Sequence, residues 1–279
     1  MVIASLATLP LLEDIRLNVS LDADVVLHID RLSTLRRIAV TGFRGNPIVE
    51  QLIARSPQLS ALDVDGTRCR VAADILSLHD FFSQLSPATP LPLTHLRVWN
   101  ICLRLDSTTI PHFRELTSLN LGPILHPMDR SRSWLPDPAD EGVHRMKDVC
   151  STASEIWRTL SHERILLREV TVATTDDALL DYLASYSGVE KLVLSGIPVR
   201  NITASNALAD KFYTRVLPRH TESLRILKTP LTFEGKWCYD FHVSNALLEC
   251  RHLTHLTIPL YRHNLEDTVR PFDSAVAVF

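Results

Sequence analysis

The sequence predicts an α/β solenoid, with short parallel strands on its concave face and helices on its convex face. Three observations carry that expectation. A six-residue line, apolar at its first and fourth positions and in nearly every case at its sixth, recurs nine times along the 279 residues. Four of the eight steps between lines are 22–24 residues, enough for one strand, a crossover and a return. The stretches between lines carry apolar residues at helical spacing.

The line is clearest in 113–124, FRELTSLNLGPI, where Leu116, Leu119 and Leu121 hold the apolar positions after Phe113. Aligned on Leu116, the other lines begin at Leu12, Leu35, Leu59, Leu93, Leu167, Val189, Leu224 and Leu253. Positions four and six are separated by one residue, the period of a strand, so both side chains point to the same face. A strand this short cannot bury that face alone. Stacking it in parallel on a neighbour, with the crossover on the buried side, does so. The steps of 34, 51 and 35 residues, from Leu59, Leu116 and Val189, must carry insertions. The largest holds Pro123, Pro127, Pro136 and Pro138. The chain is therefore expected as a single solenoid over 1–279, with a proline-rich insertion at about 122–139.

The crossovers are expected as helices over 46–56, 71–85, about 140–160, 175–185, 205–217 and 242–250. Asn46 is a candidate N-cap, with Pro47 at the first helical position. Asp176 and Asp177 sit where a helix N-terminus favours negative charge.

Residues alternating with the buried positions form three rows on the concave sheet. The first begins Asp14, Arg37, Ala61, His95, Ser118; the second Arg16, Ala39, Asp63, Arg97, Asn120; the third Asn18, Thr41, Asp65, Trp99, Gly122. Strands stand about 4.8 Å apart, so Asp14 should face Arg37, Asp63 should face Arg97, and Glu169 should face Lys191. Those pairs stabilise a sheet whatever its function. Asp63, Asp65, Arg97, Trp99 and Asn120 together also make a mixed-charge surface with an exposed indole. Trp and Arg are enriched where proteins bind each other, so these five are the candidate partner-binding residues.

The chemistry of enzymes is not legible. No G-x-S-x-G, P-loop, G-x-G-x-x-G or H-E-x-x-H occurs. His252 and His255 form H-x-x-H, but on a strand line, where they do not converge on one ion. His95 holds the place equivalent to His255. Asp176, Asp177 and Asp181 are explained by a helix start. No catalytic residue, cofactor or metal is expected. A net charge of −3 gives no general attraction to nucleic acid or anionic membrane, and no run of 18 apolar residues is present. Five scattered cysteines without C-x-x-C disfavour a disulfide framework and fit a reducing, intracellular compartment.

The lines LPLLEDIRL, SPQLSALDV, LPLTHLRVWNI, FRELTSLNL and CRHLTHLTI resemble degenerate leucine-rich repeats, in particular the irregular repeat region of fungal F-box proteins. The resemblance spans about residues 9–261. It implies a right-handed leucine-rich-repeat-like solenoid and a non-catalytic module that binds a protein partner on its concave face. It further implies substrate recognition for a ubiquitin ligase, in cytoplasm or nucleus. Two departures stand out. The family's Asn or Cys eight residues after the anchor is replaced by Ser20, Phe43, Thr67, Ile101, Ile124, Thr175, Ile197, Thr232 and Tyr261. The helical F-box that docks the ligase adaptor has no counterpart, which leaves adaptor docking in doubt and implies the substrate-reading half alone. The alternative readings are an α/β enzyme, such as a hydrolase with an unrecognised site, and a gene fragment without independent function.

Overall fold

The computed structural model describes residues 11–18, 34–41, 47–66, 77–86, 88–123, 151–196, 201–230 and 235–260. Most of the 122–139 insertion, and the 71–76 and 140–150 parts of two expected helices, lie outside them. The chain packs as two compact units, Met1–Ile165 and Leu166–Phe279. Both are α/β, with parallel strands joined by helical segments.

In the first unit the strands are β1 (Asp14–Asn18), β2 (Arg37–Thr41), β3 (Ala61–Asp65), β4 (His95–Trp99) and β5 (Ser118–Leu121). They pair in parallel and in chain order. The register reproduces the expected rows residue for residue: Asp14, Arg37, Ala61, His95 and Ser118 stand side by side, then Arg16, Ala39, Asp63, Arg97 and Asn120. The alternate residues, from Ile15 and Leu17 to Leu119 and Leu121, are buried. Against that face lie α1 (Pro47–Ala54), through Val49, Leu52 and Ile53, and α2 (Leu78–Ser83), through Leu78, Phe81 and Phe82. A 3-10 turn at Ile110–Phe113 follows, and then α3 (Ala153–His162). Pro47 opens α1 as expected, because its missing N–H is not needed there. Thr152 and Glu155 form a reciprocal capping box that starts α3 at 153, later than the expected 140.

The second unit holds β6 (Glu169–Val172), α4 (Asp177–Ala184), β7 (Lys191–Leu194), α5 (Ile202–Lys211), α6 (Leu217–His220), β8 (Ile226–Lys228), α7 (Phe241–Leu248) and β9 (His255–Thr257). Its four strands also pair in parallel in chain order. Asp176 caps α4, accepting from the Leu179 N–H at 2.8 Å, and Asp240 caps α7 in the same way. The expected helix over 205–217 is longer and interrupted. A π turn, Phe212–Val216, joins α5 to α6, and the Leu217 N–H reaches back to the Phe212 carbonyl. That extra residue lets Pro218, which has no N–H to give, enter a continuing helix.

Successive strands are tied at their starts by one repeated arrangement. The carbonyl just after each anchor accepts two N–H groups of the next line. Glu13 O takes Arg36 and Arg37, Arg36 O takes Ser60 and Ala61, Ser60 O takes Thr94 and His95, and Thr94 O takes Thr117 and Ser118. In the second unit Arg168, Glu190 and Arg225 do the same. Hydroxyls add to it: Thr94 Oγ1 donates to Ser60 O at 3.0 Å, and Thr117 Oγ1 to Thr94 O at 3.1 Å. Buried and half-buried side chains secure the anchors, or the backbone two residues before one of them, Leu93. His112 Nδ1 accepts from the Leu91 N–H, and His220 Nδ1 from the Val189 N–H. The Tyr182 hydroxyl accepts from the Leu167 N–H while the Tyr186 hydroxyl donates to the Leu167 carbonyl. Burial pushes the Tyr182 phenol up to about 12 and lowers the His112 imidazole, so both stay neutral.

The charge pairs expected across strands are all present as neighbours. Asp14–Arg37 meet at 3.9 Å, Asp63–Arg97 at 2.8 Å and Glu169–Lys191 at 3.7 Å. The cysteines correct one expectation. Cys238 and Cys250 are free, but Cys102 is disulfide-bonded, so cysteine usage does not argue for a reducing compartment. Among the described residues no helix is long and apolar enough to cross a membrane.

Candidate interaction surface

Strand alternation leaves the rows of the first unit's sheet facing outward, and four of the five expected residues touch in sequence there. The Arg97 guanidinium donates to both carboxylate oxygens of Asp63, at 2.8 and 3.1 Å. The same guanidinium lies over the Trp99 ring, 5.0 Å from its centroid. Trp99 Nε1 donates to Asn120 Oδ1 at 3.3 Å. Asp65 stands beside Trp99 in register. The residues take alternate positions along β3, β4 and β5, so neighbouring strands bring them into contact without any help from a loop.

The indole has a seat. A Cβ placed on Gly122 would fall 2.4 Å from Trp99 Cδ2 and 2.5 Å from Cγ, so only glycine lets the ring lie there. This explains why Trp99 is half-buried rather than fully displayed on the sheet. We expect Gly122→Ala to lift the indole off the sheet, breaking both of its polar contacts. The expected cost is about 1–3 kcal/mol of stability, together with stronger acrylamide quenching of Trp99. Subtracting the signal of a Trp99→Phe variant isolates that residue. Unchanged quenching would show that the glycine is not what holds the ring.

The outward face carries an open depression of about 500 Å³ with walls from all five strands. Asp63, Arg97 and Asn120 line it, while Asp65 and Trp99 lie on the surface beside it. Arg16, Arg37 and His95 line it as well, and they were not among the five expected residues. The signal was in the rows: Ala39 and Ala61 put small side chains between the arginines, which lowers the floor. His95 Nδ1 lies 2.9 Å from Thr94 Oγ1, and His255 repeats the contact with Thr254 at 3.0 Å, as their equivalent positions imply.

Among the described residues of this unit two His–acid pairs lie elsewhere: His162 Nδ1 with Glu163 Oε1 at 3.1 Å, on an exposed helix end, and a closer one. His79 Nδ1 is 2.7 Å from Asp106 Oδ2, which also meets Arg104 Nε at 3.1 Å. Asp106 Oδ1 accepts from the Thr108 and Thr109 N–H groups, so this carboxylate organises its own turn. Neither His79 nor Asp106 lines the depression. Among the described residues no group of three or more His, Cys, Asp or Glu is placed to hold a metal ion. The chain matches no family model, no curated protein and no solved structure.

Proposed function

We propose that this chain is a non-catalytic protein-interaction module of leucine-rich-repeat-like build, with the outward sheet face of the first unit as its reading surface. In this reading each unit is a run of right-handed strand–helix repeats, with the outward rows concave. The observation that carries it is the contact series Asp63–Arg97–Trp99–Asn120, an Arg and a Trp held in fixed orientation beside an open depression. Orienting these side chains before a partner arrives removes part of the entropy lost on binding. By the resemblance to fungal F-box proteins, the partner is proposed to be a protein selected for ubiquitination inside the cell.

The test uses the Arg97→Ala, Trp99→Ala double variant. Both side chains are partly exposed and outside the buried core, so the circular dichroism spectrum should match that of the parent chain. Truncating two such anchors should weaken the partner complex by at least about thirtyfold, the equivalent of about 2 kcal/mol. Equal affinity of parent and variant in a binding titration would reject the surface.

A further inference from the structure

We infer that the partner contributes an acidic, extended peptide segment that crosses the strands of the first unit, with a carboxylate seated between Arg16 and Arg37. This rests on the reading of that face as the interaction surface and names the chemistry it recognises. The depression is lined by three guanidinium groups, Arg16, Arg37 and Arg97, against the single carboxylate of Asp63. Arg97 is already occupied, with both Asp63 oxygens on its guanidinium and its face on Trp99. The unmatched charge therefore lies at the β1–β2 end.

There the two arginines are poorly satisfied. Arg16 is exposed and its neighbour in register is Ala39, which offers it nothing. Arg37 meets Asp14 only at 3.9 Å, through Nε, and both side chains are about half exposed. A carboxylate entering over Ala39 and Ala61 can take the forked geometry that Asp14 does not. Five strands at about 4.8 Å spacing span about 19 Å, the length of roughly six extended residues. The far end of such a segment reaches Ser118 and Asn120, which suit a backbone or hydroxyl group rather than a charge.

The experiment titrates the full chain into a fluorescein-labelled octapeptide of alternating Glu and Ser, followed by anisotropy. A matching octapeptide of Lys and Ser, inorganic phosphate and a single-stranded RNA oligonucleotide serve as comparison probes. Saturable binding of the Glu peptide, weakened by salt and reduced at least about tenfold in Arg16→Glu, Arg37→Glu, is the expected result. The same charge-reversed variant should gain affinity for the Lys peptide, a gain that a misfolded variant does not produce. Equal binding of the Glu peptide to parent and variant overturns the inference, as does parent binding that favours the Lys peptide. RNA or phosphate displacing the Glu peptide with the same arginine dependence assigns the site to phosphate and overturns it too. If the Glu peptide fails to bind while Arg97→Ala, Trp99→Ala still loses the native partner, the surface stands and its acidic specificity falls.

Discussion

Replacing Trp237 with alanine is expected to remove about 4 kcal/mol of stability from the second unit. Trp237 is 1% exposed and is among the largest fully buried side chains. Its ring lies 5.5 Å from Phe212 and 6.1 Å from Tyr213, between centroids. Nε1 donates to the Ser205 carbonyl at 3.1 Å, and the Tyr213 hydroxyl returns a bond to the Trp237 carbonyl. The indole thus pins the segment after Gly235 to α5 and the π turn. Truncation leaves a cavity among aromatic rings that rigid helices cannot close, which places the cost at the upper part of the usual range. Equilibrium denaturation followed by far-ultraviolet circular dichroism measures it, with Trp237→Phe losing much less. A loss below about 1 kcal/mol would show that this cluster repacks freely.

The second large effect is a loss of stability in mild acid, centred on His220. Nδ1 accepts from the Val189 N–H, so the hydrogen is on Nε2, which lies 3.0 Å from the Leu183 carbonyl and donates to it. Burial first, and the nearby Arg219 charge after it, push the imidazole down to about 4, with the Leu183 bond opposing them. Above the unfolded value of 6.5 the ring is neutral in both states and the contribution is intact. As pH falls below 6.5 the unfolded chain binds a proton that the folded chain refuses, so stability declines until the folded ring titrates at about 4. The whole change is roughly 3 kcal/mol, at about 1.4 kcal/mol per pH unit. His220→Phe should be less stable than the parent at neutral pH, because it strands the Val189 N–H and the Leu183 carbonyl. The gap between the two should narrow between pH 6.5 and 4. A constant gap would show that protonation of this ring is not being refused.

The strand rows were readable because their rule is local. A period of two and an anchor leucine place every outward residue, and the pairing of Asp63 with Arg97 followed without knowledge of the helices. The seat of Trp99 was not readable, since which way an indole turns depends on the missing Cβ of Gly122 one strand away. His112 and His220 were two of twelve histidines with no metal pattern. Only their shared place, four residues before the anchors Leu116 and Leu224, hinted at a common buried role. The capping box of Thr152 and Glu155 was written in the chain as T-x-x-E. The π turn answers to Pro218 alone, and helical periodicity does not register one added residue.

The two-amide carbonyl at each strand start also bears on how the chain acquires its structure. Within each unit, among the described residues, those it joins are not far apart: 22 residues separate Arg168 from Glu190, and 35 separate Glu190 from Arg225, the shortest and longest of these cases. Ordering a rung therefore closes one loop of modest length onto a rung already formed, and the entropy of closure rises only slowly with that length. Within each unit, assembly can spread outward from whichever pair of rungs forms first, each template fixing the start and register of the next. Longer crossovers, such as the one between Ser60 and Thr94, delay a step without changing what it recognises.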